Sequence, residues 1–269
     1  MKKPEVSIEN YPAVFEYYDQ HGPSPTFARF GHFVMSKLYS PTIEVADSTQ
    51  NIIQRYLSEG YLTLIVTNHD SKVDQYNLAG FVRRVPSLRP LITKTVIPAK
   101  GEVYTKPGPL GKLQRNAVDW LGSYPVIRSK DLPEDASDEE RQQQKDASDL
   151  SVQLGLNKTE RDGYHLGGFP EGERTKEDGD HTVVKPLRRG FSEIYMNALK
   201  SKRLMIVTAG MFYGTNDMER RYKAPHIYIG SPIVDQLNSV QEVTETMHYN
   251  LQRDLDIAVH NRMVEEKLV

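Results

Sequence analysis

The sequence predicts an α/β fold, a single mixed sheet flanked by helices. Two observations predict it. The runs Tyr61 to Thr67 and Leu204 to Met211 are short and nearly continuously apolar, as strands buried on both faces are. Stretches with apolar residues at helical spacing alternate with such runs along the chain. A third observation locates a candidate active site at the strand carboxyl ends. The first run stops abruptly at Asn68-His69-Asp70, and open α/β folds place ligands just past the carboxyl ends of their strands.

The elements follow in order. Tyr11, Phe15, Tyr17 and Tyr18 precede a break at Gly22-Pro23-Ser24-Pro25. Phe27, Phe30, Phe33, Val34 and Leu38 then recur at helical spacing, with Arg29 and Lys37 among them. This N-terminal amphipathic segment is expected to pack on the core, the commoner use of such a stripe. Its other use is to lie on a lipid surface, Phe down and cations at the interface. Thr42 to Val45 reads as a strand. Asp47 or Ser48 is placed to cap a helix through Leu57 that Gly60 ends.

After the polar stop at residues 68–70, Tyr76, Leu78, Ala79, Phe81 and Val82 mark a helix. Leu91 to Ile97 reads as a strand and Pro98 to Gly111 as loop. A short helix over Leu113 to Leu121 and a strand from Tyr124 to Arg128 follow. Residues 129–150 are acidic and free of aromatics, a solvated loop leading into a surface helix, and Lys158 to Gly163 reads as an exposed turn. Tyr164 to Phe169 is a strand weakened by glycine, and Lys176 to His181 a charged loop. Phe191 to Leu199 reads as a helix, His226 to Ile229 as a strand, and Val240 to Val264 as a long helix.

Composition narrows the function. The chain has 269 residues, 34 Lys+Arg against 36 Asp+Glu, and no Cys. Disulfides, thiolate metal sites and a Cys nucleophile are excluded. Near-zero net charge argues against a dedicated nucleic-acid binder, which carries a basic excess. A membrane-spanning helix needs about 20 mostly apolar residues, and the best runs, Leu62 to Val66 and Leu204 to Val207, are far shorter. The start, Met1-Lys2-Lys3-Pro4-Glu5, has no apolar run behind it, so no signal peptide and an intracellular location are expected.

Three constellations carry candidate chemistry. In Asn68-His69-Asp70-Ser71-Lys72-Val73-Asp74, His69 and Asp74 stand five apart on a turn entering a helix. A carboxylate there reaches one imidazole nitrogen, fixes the tautomer, and leaves the other nitrogen to take a proton. This is the orienting half of a catalytic triad without its serine; a lone His and Asp more often form a structural hydrogen bond. In Phe169-Pro170-Glu171-Gly172-Glu173-Arg174-Thr175, a proline and a glycine set a tight turn that brings Glu171 and Arg174 together. Lys94, Arg128, Arg174, Lys185 and Arg188-Arg189 each follow or begin an element. They suit phosphate oxygens if they converge, and are exposed charges if they do not.

Taken together, the H-x-x-x-x-D block at His69 and Asp74, then Val126-Ile127-Arg128, then Phe169-Pro170-Glu171-Gly172-x-Arg174, then Arg188-Arg189-Gly190-Phe191, resemble the glycerolipid and lysophospholipid acyltransferase family. The bacterial 1-acylglycerol-3-phosphate acyltransferases are typical of it. The resemblance covers roughly residues 42–232.

It implies transfer of an acyl group from acyl-CoA or acyl carrier protein to a hydroxyl of a lysophospholipid or glycerol phosphate. 1-Acylglycerol 3-phosphate is the leading acceptor; glycerol 3-phosphate or a glycolipid hydroxyl are alternatives. His69 would be the general base and Asp74 its orienter, with no enzyme nucleophile, no cofactor and no metal. Gly172 and nearby amides would face the oxyanion. Arg128, Arg174, Arg189 and Lys94 would hold the acceptor phosphate. Glu171 would bind an acceptor hydroxyl or position these cations, while Asn68 and Ser71 would support the His69 loop.

The resemblance implies a membrane-contacting segment over residues 1–40 and an acyltransferase domain over 41–269, peripheral on the inner face of a membrane. Three departures stand out. Only the Phe27–Leu38 stripe replaces the embedded helices many members carry. Leu166-Gly167-Gly168 replaces a bulkier strand. Val207-Thr208-Ala209-Gly210 lacks the usual mid-strand proline. Readings of other classes are a metal-assisted hydrolase using His69, Asp74 and His165 or His181, and a non-catalytic lipid-binding protein.

Overall fold

A computed structural model of the chain describes residues 3–105, 107–127, 132, 135–176, 179–214, 224–234 and 237–268. The architecture is mixed α/β. In chain order the elements are α1 (Tyr11–Gln20), α2 (Pro25–Leu38), β1 (Thr42–Val45), α3 (Thr49–Ser58), β2 (Leu62–Thr67), α4 (Asp74–Arg84), a 3₁₀ segment (Pro86–Thr93) and β3 (Thr95–Lys100). Then come α5 (Glu102–Thr105), α6 (Gly108–Trp120), β4 (Ser123–Val126), α7 (Asp138–Glu160), β5 (His165–Gly168), α8 (Arg189–Ala198), β6 (Leu204–Phe212), β7 (His226–Ile229) and α9 (Val240–Leu268). Two compact units form, one from residues 1–31 and 93–166, the other from 32–92 and 167–269.

In the first unit β3 pairs in parallel with β4, and its first two residues pair with the start of β5. Pro98 lies inside β3, where a loop is expected. Ile97 and Gly101 donate their amides toward Gly122 and Val126. Alternation turns residue 98 to the other side, where pairing has already ended at Val96, so the missing proline N–H breaks no ladder bond. The expected strand at Leu91 begins instead as a 3₁₀ segment. Pro86 and Pro90 restrict it, and Leu88 and Leu91 are buried at its three-residue repeat. α7 starts from a capping box at Ser137 and Glu140 and continues through the expected turn to Glu160. α1 packs on α7, and Tyr11, wholly buried, donates its hydroxyl to Pro125 O at 2.6 Å.

In the second unit the strand order is β1-β7-β6-β2, with β6 and β7 antiparallel and the other two pairings parallel. All residues of β2 and β6 are buried. α9 covers β6 and β7. Gly210 lies where its backbone approaches α9; a Cβ there would stand 2.2 Å from Leu255 N. That contact accounts for glycine in this strand. α3 departs from expectation at its start: Ser48 is left-handed (φ 64°) and its side chain makes no cap.

No helix among the described residues is long and apolar enough to cross a membrane. α2 buries Ala28 and His32, stacks Phe27 on Trp120 with ring centroids 4.7 Å apart, and leaves Phe30 (59% exposed), Phe33 (47%) and Leu38 (69%) toward solvent. The expectation that this stripe packs on the core fails for Phe30, Phe33 and Leu38, while Val34 is half-buried. Small Ala28 and polar His32 form the inward side.

Candidate active site

The site lies wholly in the second unit. β2 runs parallel to β6 as far as Thr67 and Ala209. Asn68 then continues the pairing with its side chain: its amide donates to Met211 O at 2.9 Å, and its Oδ1 accepts from Met211 N at 2.7 Å. That clamp fixes where the chain leaves the sheet, and His69 is the next residue.

His69 Nδ1 is 2.8 Å from Asp74 Oδ2. Asp74 is the first residue of α4 and is wholly buried. Oδ2 also accepts the amides of Asp70 (2.7 Å) and Ser71 (2.8 Å), and Oδ1 accepts the Tyr213 hydroxyl at 2.6 Å. With these three donors facing it, the Asp74 carboxyl acts as an acceptor on both oxygens. A carboxylate only accepts, so Nδ1 carries the proton and Nε2 is the nitrogen able to take one. The ring stacks on Phe169 with centroids 4.3 Å apart and is about one-fifth exposed. Ser71 contributes its amide to the carboxylate.

The turn after β5 holds His69 from the other side. Glu171 Oε1 accepts the His69 amide at 2.9 Å, and Thr175 donates its amide to His69 O at the same distance. Glu171 is 2% exposed, and its Oε2 has no hydrogen-bond partner among the described residues. Burial pushes its carboxyl up to about 8; the backbone amides of His69 and Lys185, and then the Lys185 charge, pull the other way, and Asp74 adds to the rise. Gly172 is left-handed (φ 72°), and a Cβ there would meet Arg188 Cγ at 3.2 Å. Its amide donates to Phe169 O and closes the turn, which engages a donor expected to face an oxyanion.

The cations divide. Arg174 and Arg189 are exposed on the segments flanking the turn. Lys185 donates to Arg174 O at 2.6 Å, and Arg188 donates its amide to Pro170 O at 2.7 Å. Lys94 belongs to the first unit, where its carbonyl accepts the His165 amide. Arg128 lies outside the described residues.

Three contacts escape the sequence reading. Tyr213 reaches Asp74 from just beyond β6, and Asn77 Nδ2 donates to its hydroxyl at 2.9 Å. His181 Nδ1 makes a close, buried hydrogen bond with Asp70 Oδ1. Arg188, rather than Arg189, packs on Gly172; the doubled arginine was the available signal. Neither histidine raised for a metal joins a metal-binding group among the described residues. His165 sits buried in the first unit, where burial and then Lys94 lower its pKa to about 4. No protein-family model matches the chain, and no curated protein matches it.

Proposed function

We propose that this protein is an O-acyltransferase that moves a fatty acyl group from acyl-CoA or acyl carrier protein to a hydroxyl of a lysophospholipid or glycerol phosphate. The observation that carries the reading is the His69 imidazole. Asp74 binds its Nδ1, which leaves Nε2 to take a proton, and the ring is about one-fifth exposed and stacked on Phe169. The acceptor hydroxyl gives its proton to Nε2 as its oxygen attacks the thioester carbonyl. The carbonyl electrons move onto oxygen, and the tetrahedral intermediate then expels the thiolate, which takes the proton back from the imidazolium. Attack is direct, so no acyl-enzyme forms. Arg174, Arg188 and Arg189 supply positive charge for an acceptor phosphate.

1-Acylglycerol 3-phosphate, giving phosphatidic acid, is the acceptor favoured by the motif resemblance. The outward Phe stripe of α2, flanked by Arg29 and Lys37, suits peripheral attachment to the inner face of a membrane.

The test is thiol release from a panel of acyl-CoAs, with and without lysophosphatidic acid, glycerol 3-phosphate and lysophosphatidylglycerol. Acyl carrier protein donors follow. Acceptor-dependent release that falls at least about 100-fold in His69→Ala supports the reading. Acceptor-independent release supports hydrolysis instead. No release with any donor rejects transfer.

A further inference from the structure

We propose that Tyr213 is a positioning residue for His69, acting through Asp74; its kinetic consequence rests on the acyltransferase reading, and its effect on the imidazole does not. Four donors surround the Asp74 carboxylate: His69 Nδ1, the amides of Asp70 and Ser71, and the Tyr213 hydroxyl. Three of them converge on Oδ2. Among the described residues Tyr213 alone holds Oδ1, so it is the contact that stops the carboxylate turning about its own axis.

The hydroxyl has one proton, and the carboxylate requires it. Asn77 donates to the same oxygen from one turn further along α4. The donor direction is therefore Asn77 to Tyr213 to Asp74, opposite His69. This chain draws negative charge away from the face of Asp74 that pulls on the imidazole. Tyr213 is wholly buried, and burial, then the Asp74 charge, holds its pKa well above the ordinary phenol value. It stays a donor at every working pH.

The other titratable groups around the network are Asp70 with its partner His181, Glu171 beneath the His69 amide, and Lys185. Tyr213→Phe leaves each of them in place and keeps the buried ring, so it removes the hydrogen bond without opening a cavity. A purely packing role predicts no change in His69.

The experiment follows His69 in the full chain by ¹⁵N NMR against pH, in wild type, Tyr213→Phe and Asn77→Ala, assigned by the signal missing in His69→Ala. Without the Tyr213 donor, Asp74 holds more charge toward the imidazolium. The His69 midpoint then moves to higher pH by about half to one pH unit in Tyr213→Phe, and in the same direction by less in Asn77→Ala. In the transfer assay the acid limb moves with it, and kcat falls about tenfold with the acceptor KM unchanged. Both variants titrating with wild type overturns the proposal. If Tyr213→Phe fails to fold, Asn77→Ala decides it. If wild type transfers nothing, the acyltransferase reading fails while the NMR midpoints still decide the role of Tyr213.

Discussion

Glu171 accepts the backbone amide of His69 through Oε1 at 2.9 Å, and its second carboxyl oxygen is buried with no partner among the described residues. One oxygen fixes the candidate base; the other makes ionisation unfavourable. A buried carboxylate with an unsatisfied oxygen lacks the water it would have in the unfolded chain.

This relationship predicts a pH dependence of stability. The Glu171 carboxyl is pushed up to about 8 by burial, above its unfolded value. The folded state therefore holds a proton that the unfolded state has lost, and stability falls as pH rises between those two values. Glu171→Gln keeps an oxygen for the His69 amide and removes the titration. Its stability relative to wild type should rise from pH 5 to pH 9 by on the order of a few kcal/mol. Urea unfolding at both pH values checks this. An equal difference at the two pH values would contradict it.

Asp74→Asn tests the orienting carboxylate. The Asn oxygen can still face the Asp70 and Ser71 amides, which turns its NH₂ toward Tyr213, already the acceptor of Asn77. The turn survives while the charge opposite His69 is lost. The Asn oxygen also keeps facing His69 Nδ1, so the tautomer is retained, and transfer should fall by about 10² because the imidazolium loses its counter-charge. Steady-state kinetics and the circular dichroism of the same sample check it; activity within tenfold of wild type would remove Asp74 from this role.

The local parts of this site were readable in the chain, and the distant parts were not. β2 and β6 declare themselves because strands buried on both faces must be apolar throughout. His69 and Asp74 are five residues apart, so one turn brings them together. Tyr213 is 139 residues from Asp74, and a tyrosine after Met211-Phe212 reads as one more apolar residue. His181 sat in a charged loop whose partner, Asp70, could not be seen from spacing. Pro98 and the 3₁₀ segment misled for a different reason. Proline prohibits a ladder bond, yet the geometry of β3 never asks residue 98 for one.

The exposed face of α2 makes a prediction about surfaces. Deleting residues 1–40 would also remove Tyr11, which is buried and bonded to Pro125, so point substitutions are the cleaner test. Phe30 and Phe33 are about half exposed, so Phe30→Ser with Phe33→Ser should cost no more than about 1.5–3 kcal/mol of folding stability together. Flotation with vesicles containing anionic lipid should weaken at least about tenfold, since each Phe contributes about 1.5–3 kcal/mol when it leaves water. Unchanged flotation would make the stripe an ordinary exposed face.

Gly172 links the turn to the cations, and substitution separates two effects there. Its φ of 72° disfavours any Cβ, by about 1–2 kcal/mol, and the Cβ would also press on Arg188 Cγ at 3.2 Å. Gly60 is the control: it is left-handed at φ 83°, and nothing lies within 4 Å of its Cβ position. Gly60→Ala and Gly172→Ala should therefore share the backbone penalty in urea unfolding. Only Gly172→Ala should displace the Arg188 side chain and raise the acceptor KM. Equal KM values in the two variants would take Arg188 out of acceptor binding. A rise confined to Gly172→Ala, matched by Arg188→Ala, would trace the need for glycine in this turn to the arginine that crosses it.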